Sequence, residues 1–115
     1  MAKPLQYQII AEARRIIEEP QAWCSGKFAV GKTGRALAVG SQRGVKHCAV
    51  SALVLAARRT VGSKKDADRI ADGIVSMIAP HGSDANAAQS YIWSINDRQG
   101  HAAVLDLFDT ALAMY

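Results

Sequence analysis

The chain is poor in everything that would take it away from an ordinary globular domain. Among 115 residues it has two cysteines, three prolines, two tryptophans, three tyrosines and two phenylalanines. Two cysteines can close one bridge at most, so a disulfide scaffold is excluded. With nine glycines and three prolines, collagen-like and low-complexity scaffolds are excluded as well. The uncharged stretch through the middle, Cys48 to Ala57, is about half as long as a bilayer span requires. The opening MAKPLQYQII has no apolar h-region and no small-residue cleavage site. This predicts a chain without a secretory signal, cytoplasmic, with both cysteines as thiols. No CxxC, no HExxH and no helical pair of ligands four residues apart is present, so neither metal nor cofactor is expected.

Half of the residues are apolar and 21% are charged. A chain of 12.3 kDa buries roughly two-thirds of its unfolded surface, enough for a core without staples. The expectation is one globular helical domain over residues 1–115. Net charge is +4 and unevenly spread. Residues 27–69 carry ten basic against two acidic side chains, whereas residues 70–115 carry one basic against five acidic. A basic middle of this kind suits an acidic partner, either nucleic acid or an acidic protein surface.

Apolar periodicity divides the chain into five helices. Ile9, Ile10, Ala13, Ile16 and Ile17 recur at helical spacing, with Pro4 at the start and Pro20 as a stop, which predicts a first helix over Leu5 to Glu19. Lys27–Val30 and Arg35–Val39 flank the turn Gly31-Lys32-Thr33-Gly34, which predicts a short hairpin. Gly44 to Val61 reads as a second helix, apolar on most sides and hence central, with Cys48 as a small core residue. Gly62 ends it. The third helix is expected over Lys64 to Ala79, capped at Ser63 with Asp66. The fourth covers Ala85 to Ile95, capped by Ser83 or Asp84, and the fifth covers His101 to Met114. The fold class is therefore mainly α, one compact domain with a β-hairpin between helices one and two. The 21 alanines permit close helix packing.

Gly26-Lys27-Phe28-Ala29-Val30-Gly31-Lys32-Thr33 matches GxxxxGK[ST] to the letter. In a phosphate loop, Gly26 and Gly31 would free the backbone to cradle phosphates, Lys32 would reach the terminal ones and Thr33 would hold Mg²⁺. Such a loop succeeds a buried strand and opens a long helix. Here Glu18 to Ser25 is no strand, and Gly34, Gly40, Ser41 and Gly44 break up the chain on the other side. The segment is expected to be a turn, with nucleotide binding as an alternative.

Thiol hydrolysis needs a thiolate, a base and an orienting group. His47 cannot serve Cys48 from the next position of a helix, and Cys24 has no evident base. His81 and His101 are expected to be solvated. Asn96-Asp97, after Trp93-Ser94-Ile95, reads mainly as a turn and helix cap. The functional alternative is a polar pocket formed by Trp23, Trp93, Asn96 and Asp97.

Six segments together resemble an uncharacterised family of small bacterial and phage helical proteins, a domain of unknown function. They are Ala11-Glu12-Ala13 to Ile17, Trp23 with Gly26, Gly34, Cys48 to Leu53, Trp93 to Asp97, and Val104 to Ala111. The resemblance spans nearly the whole chain. It implies that Gly31 to Gly34 is a hairpin turn, and it brings no activity with it.

The leading functional expectation is a non-catalytic binding or regulatory protein. It would contact its acidic partner through Lys27, Lys32, Arg35, Arg43, Lys46, Arg58 and Arg59. Besides nucleotide binding at Gly26 to Thr33, the other alternative is a self-associating structural protein, with acidic helix five on the basic middle of a neighbour.

Overall fold

A computed structural model describes residues 3–80, 82 and 84–115. Helix α1 is Leu5–Ile16, with a single 3-10 turn after it at Pro20–Ala22. Three two-residue strands come next: β1 is Ala29–Val30, β2 is Ala36–Leu37 and β3 is Lys46–His47. Helix α2 is Ala49–Val61, α3 is Lys64–Ile78 and α4 is Ala85–Ser94. A π-helical turn, Ile95–Gln99, leads into α5, His101–Leu112. The expected fold class holds, with the hairpin between the first two helices. No described helix is long and apolar enough to cross a membrane.

Helix α2 forms the axis of the core. Every residue from Ala49 to Ala57 is buried, so the helix has no solvent face over more than two turns. Its alanines let neighbours approach closely, and α1, α3 and α4 pack around it. Ile9, Ile10, Ala13 and Ile17 meet it from one side, Ala67, Ala71 and Ile74 from another. Phe108 and Val104 of α5 complete the core. The ends obey local chemistry. Gly62 caps α2 at φ +88°, Ser63 Oγ accepts from the Asp66 N–H at 3.4 Å, and Asp84 Oδ1 accepts from the Ala87 N–H at 2.7 Å. Ser83 and His81 lie outside the described residues.

Five sequence expectations are corrected. Helix α1 ends at Ile16, not Glu19, because the Pro20 ring crowds the carbonyl four residues back and holds Glu19 extended; the ring of His101 then pairs with the freed Ile17 carbonyl. His101 is thus a C-terminal cap rather than a solvated residue. Helix α2 begins at Ala49, not Gly44. Residues 46–47 are drawn into the sheet instead, and Cys48 is the residue before the helix, with its sulfur accepting from the Ser51 N–H. The sheet has three strands in the order β2-β1-β3, both pairs antiparallel, so the expected hairpin has a third strand on its other edge. Helix α5 ends at Leu112, not Met114.

Strand alternation sends Lys46 to solvent and His47 into the interior, where His47 is 2% exposed. His47 Nδ1 lies 2.8 Å from Ser51 Oγ, which also accepts the Gly40 N–H at 2.9 Å. Its Nε2 has no hydrogen-bond partner among the described residues. A side chain at Gly44 would strike this ring, since a Cβ there would sit 2.8 Å from it. Burial pushes the imidazole below its ordinary range; the Gly44 backbone opposes this and Arg59 adds to it. His47 is therefore kept neutral in the folded chain, while the unfolded chain takes a proton near the ordinary value of 6.5. A base held neutral stabilises the fold fully above that pH and loses its contribution as pH falls through the lowered folded value. The urea midpoint should drop as pH falls from about 7.5 to about 5, and His47→Gln should flatten that part of the profile. A midpoint profile identical in the two proteins would contradict a neutral buried His47.

Candidate functional site

Asn96 stands at the second position of the π-helical turn and is completely buried. Its Oδ1 accepts from the Trp23 indole N–H at 2.8 Å and from the Ala49 backbone N–H at 2.9 Å. Its Nδ2 donates to the Cys24 carbonyl at 3.1 Å and to Asp97 Oδ1 at 2.9 Å. All four hydrogen-bonding positions of the amide are filled. Asp97 Oδ1 also accepts from the Gly26 N–H at 3.0 Å. The turn-and-cap expectation is corrected in its partners. Asn96 does not cap its own helix; it supplies an acceptor to the first amide of α2, 47 residues away. A π-helical turn is a common means of aiming one side chain inward. Gly100, at φ +95° and ψ −176°, takes a backbone conformation nearly restricted to glycine and returns the chain to α5.

Of the four residues expected in a pocket, Asp97 and Trp93 line one groove, of about 260 Å³, with Gly26, Lys27 and Phe28. Trp93 is 39% exposed and its ring centroid lies 5.0 Å from that of Phe28. Trp23 and Asn96 lie behind that groove as support, with Trp23 packed on His101 at 5.5 Å. The contribution of Phe28 was not foreseen; its interior place in an extended segment carried no signal for a groove wall.

The cations expected to form one face are divided by the fold. Lys32, Arg35 and Arg43 line a second groove, of about 540 Å³, together with Thr33, Leu37 and Gln42. No carboxylate lines it, and none of the three cations has a salt bridge among the described residues. Gly44 and Val45 are shared with a neighbouring cavity of about 250 Å³ that Arg15, Arg59 and His47 line. Arg59 stays on this side but lies 3.5 Å from Glu12, which also holds Arg15. Glu12 is held below its usual range by the hydrogen bond from Arg15, so it remains charged beside both arginines. Arg58 is engaged elsewhere, donating to both oxygens of Asp68 at 2.9 and 3.0 Å. That guanidinium lowers the Asp68 pKa and fastens α2 to α3. Lys27 belongs to the Trp93 groove, and Lys46 faces away from His47.

Gly26, Gly31, Lys32 and Thr33 do not converge on one point. The Gly26 N–H is taken by Asp97, and the Gly31 N–H by the Arg35 carbonyl at 2.9 Å. Between them Ala29–Val30 is extended and paired on both sides. A turn and β2 come next in the chain, where a phosphate loop would open a helix.

A further concavity of about 300 Å³ between α2, α3 and α4 has Val39, Val50, Val54 and Val75 at its floor and Asp72 and Gln89 among its polar walls. Nothing in the sequence pointed to it, because its residues come from four separate segments.

Fold and surface together define a small helical domain with a basic-edged sheet. The chain belongs to a family of unknown function, DUF6197, whose model matches residues 1–114. The resemblance to an uncharacterised family is thereby established. No curated protein and no solved structure matches the chain.

Removing the Asn96 amide leaves a buried indole N–H and a helix-end N–H without partners. Asn96→Ala should cost about 3 kcal/mol in urea unfolding and red-shift the Trp23 emission. Asp97→Ala, at an exposed position, should cost under about 1 kcal/mol. Equal costs for the two would contradict the role given to Asn96.

Proposed function

We propose that this chain is a non-catalytic cytoplasmic binding protein that takes a polyanionic strand in the Lys32–Arg35–Arg43 groove. One observation carries the reading: three cations free of salt bridges among the described residues converge on a groove without a carboxylate. Side chains of that kind retain their full charge for a partner and need no internal ion pair broken first. No aromatic ring lines the groove, so contact with bases by stacking is not provided for. Recognition then rests on phosphate charge and is independent of sequence. Arg59 extends the positive surface beyond Gly44 and Val45, with Glu12 moderating it. Nucleic acid is the partner that fits an open, aromatic-free basic groove best.

The test is fluorescence anisotropy of labelled single- and double-stranded oligonucleotides over a salt series. Three phosphate contacts give a log–log slope of about −2 to −3. Substituting Lys32, Arg35 and Arg43 together with alanine should weaken binding at least about tenfold at low salt and flatten that slope, with the fold intact. Binding by the triple variant equal to that of the parent would reject this surface. Absence of nucleic-acid binding by the parent, with retention on an acidic protein surface, would move the partner to that class.

A further inference from the structure

The two cysteines sit on adjacent backbone segments although 23 residues lie between them. Trp23 and His47 form a parallel β-bridge, and the Cys24 N–H donates to the His47 carbonyl at 3.2 Å. Cys24 and Cys48 are the next residues of those two segments. Trp23 and Cys48 both have extended backbones, at φ −109°, ψ 147° and φ −79°, ψ 175°. Parallel neighbours in register point to the same face with strands about 4.8 Å apart, within the Cα separation that a disulfide spans. A second contact agrees. The Phe28 carbonyl accepts from the Cys48 N–H at 2.9 Å and lies 3.9 Å from Cys24 Sγ. Both thiols are free, Cys24 at 9% exposure and Cys48 at 1%. Lys27 and Phe28, whose carbonyls face Cys24 Sγ, also line the groove beside Trp93.

We propose that Cys24 and Cys48 form a vicinal dithiol that a hydroperoxide oxidises to an intramolecular disulfide. Cys24, the more exposed, attacks first. Its thiolate takes one peroxide oxygen, the O–O bond breaks, and the other oxygen leaves as water or an alcohol after gaining a proton. Cys48 then attacks the resulting sulfenic sulfur; the S–S bond forms, the S–O bond breaks and water leaves. The sulfur pair loses two electrons and the peroxide gains two. The cross-link closes a loop over residues 24–48 that carries all three strands and Lys32, Arg35 and Arg43. Burial pushes the Cys24 thiol up to about 11, with Cys48 adding to the shift and Lys46 opposing it; Cys48 is raised by burial as well. Thiolate is therefore scarce at neutral pH, and the reaction should accelerate about tenfold per pH unit up to that value. The proposal is independent of polyanion binding, since it is read by mass.

The experiment treats the reduced full-length chain with hydrogen peroxide at about pH 9, alkylates with iodoacetamide and maps tryptic peptides without reduction. The expected product has lost two hydrogens and takes up no alkyl group. It links the peptide containing Cys24 to that containing Cys48 and reverts with dithiothreitol. Cys24→Ser should keep one alkylatable thiol and form no internal bridge. Because Cys48 precedes α2 and its substitution could disturb folding, proximity is measured separately on the parent chain: one equivalent of phenylarsine oxide should block both thiols. Two alkylatable thiols after both treatments would overturn the proposal. So would sulfinic acid on Cys24 beside an intact Cys48 thiol, or a disulfide found only between two chains.

Discussion

A buried primary amide has two donors and two acceptor sites, and each one left empty costs about as much as a hydrogen bond contributes. Asn96 meets that requirement by drawing together Trp23, the Cys24 backbone, the start of α2 and its own neighbour Asp97. The Trp23–Cys24 segment leads into the sheet, α2 is the core, and the π-helical turn joins α4 to α5. One side chain therefore joins the entry to the sheet, the start of the core helix and the turn before α5 at a single point. The constraint is steepest at the buried Ala49 N–H and Cys24 carbonyl. Asp97 extends the same tie to the surface, where its carboxylate holds the Gly26 turn at the entrance to β1.

This arrangement gives the small sheet two different sides. His47 points from β3 into the helical core beneath the Gly44 backbone, and Lys32, Arg35 and Arg43 gather along the adjoining groove. Cys24 Sγ faces the Lys27 and Phe28 carbonyls, and Cys48 Sγ accepts from the Ser51 N–H at the start of α2. The segment between the thiols thus carries the basic groove. Ion pairs act at a different level. Arg14 to Asp109 and Arg58 to Asp68 join helices through two hydrogen bonds each, from partly buried guanidinium groups. Bidentate pairing of this kind fixes the orientation of the two helices as well as joining them.

Most helices were legible because their signals are local. Pro4 and Pro20 bracket the first, Ser63 and Gly62 mark a junction, and Asp84 opens the fourth. The parts that were not legible depend on distant partners. Gly44 to Cys48 is compatible with a helix by composition, and a two-residue strand has no alternation to detect. Only pairing with β1 decides its state. The role of Asn96 was equally hidden. Trp93-Ser94-Ile95-Asn96-Asp97 carries the ordinary marks of a helix end, whereas its partners lie 47 to 73 residues away. The cations show a third kind of limit. Their clustering along the chain was plain, but strand alternation and the Asp68 pairing send Lys27, Lys46 and Arg58 away from the face that keeps Lys32, Arg35 and Arg43.

The central claim is that a side chain from the far end of the molecule holds the first amide of α2. First-turn amides of a helix have no partner within it and ordinarily exchange fast with solvent. Residue-resolved amide hydrogen exchange separates the cases directly. The account predicts that the Ala49 amide is among the slowest in the protein, exchanging only through global unfolding, while those of Lys64 and Lys65 at the start of α3 exchange quickly. Exchange of Ala49 as fast as theirs would contradict it.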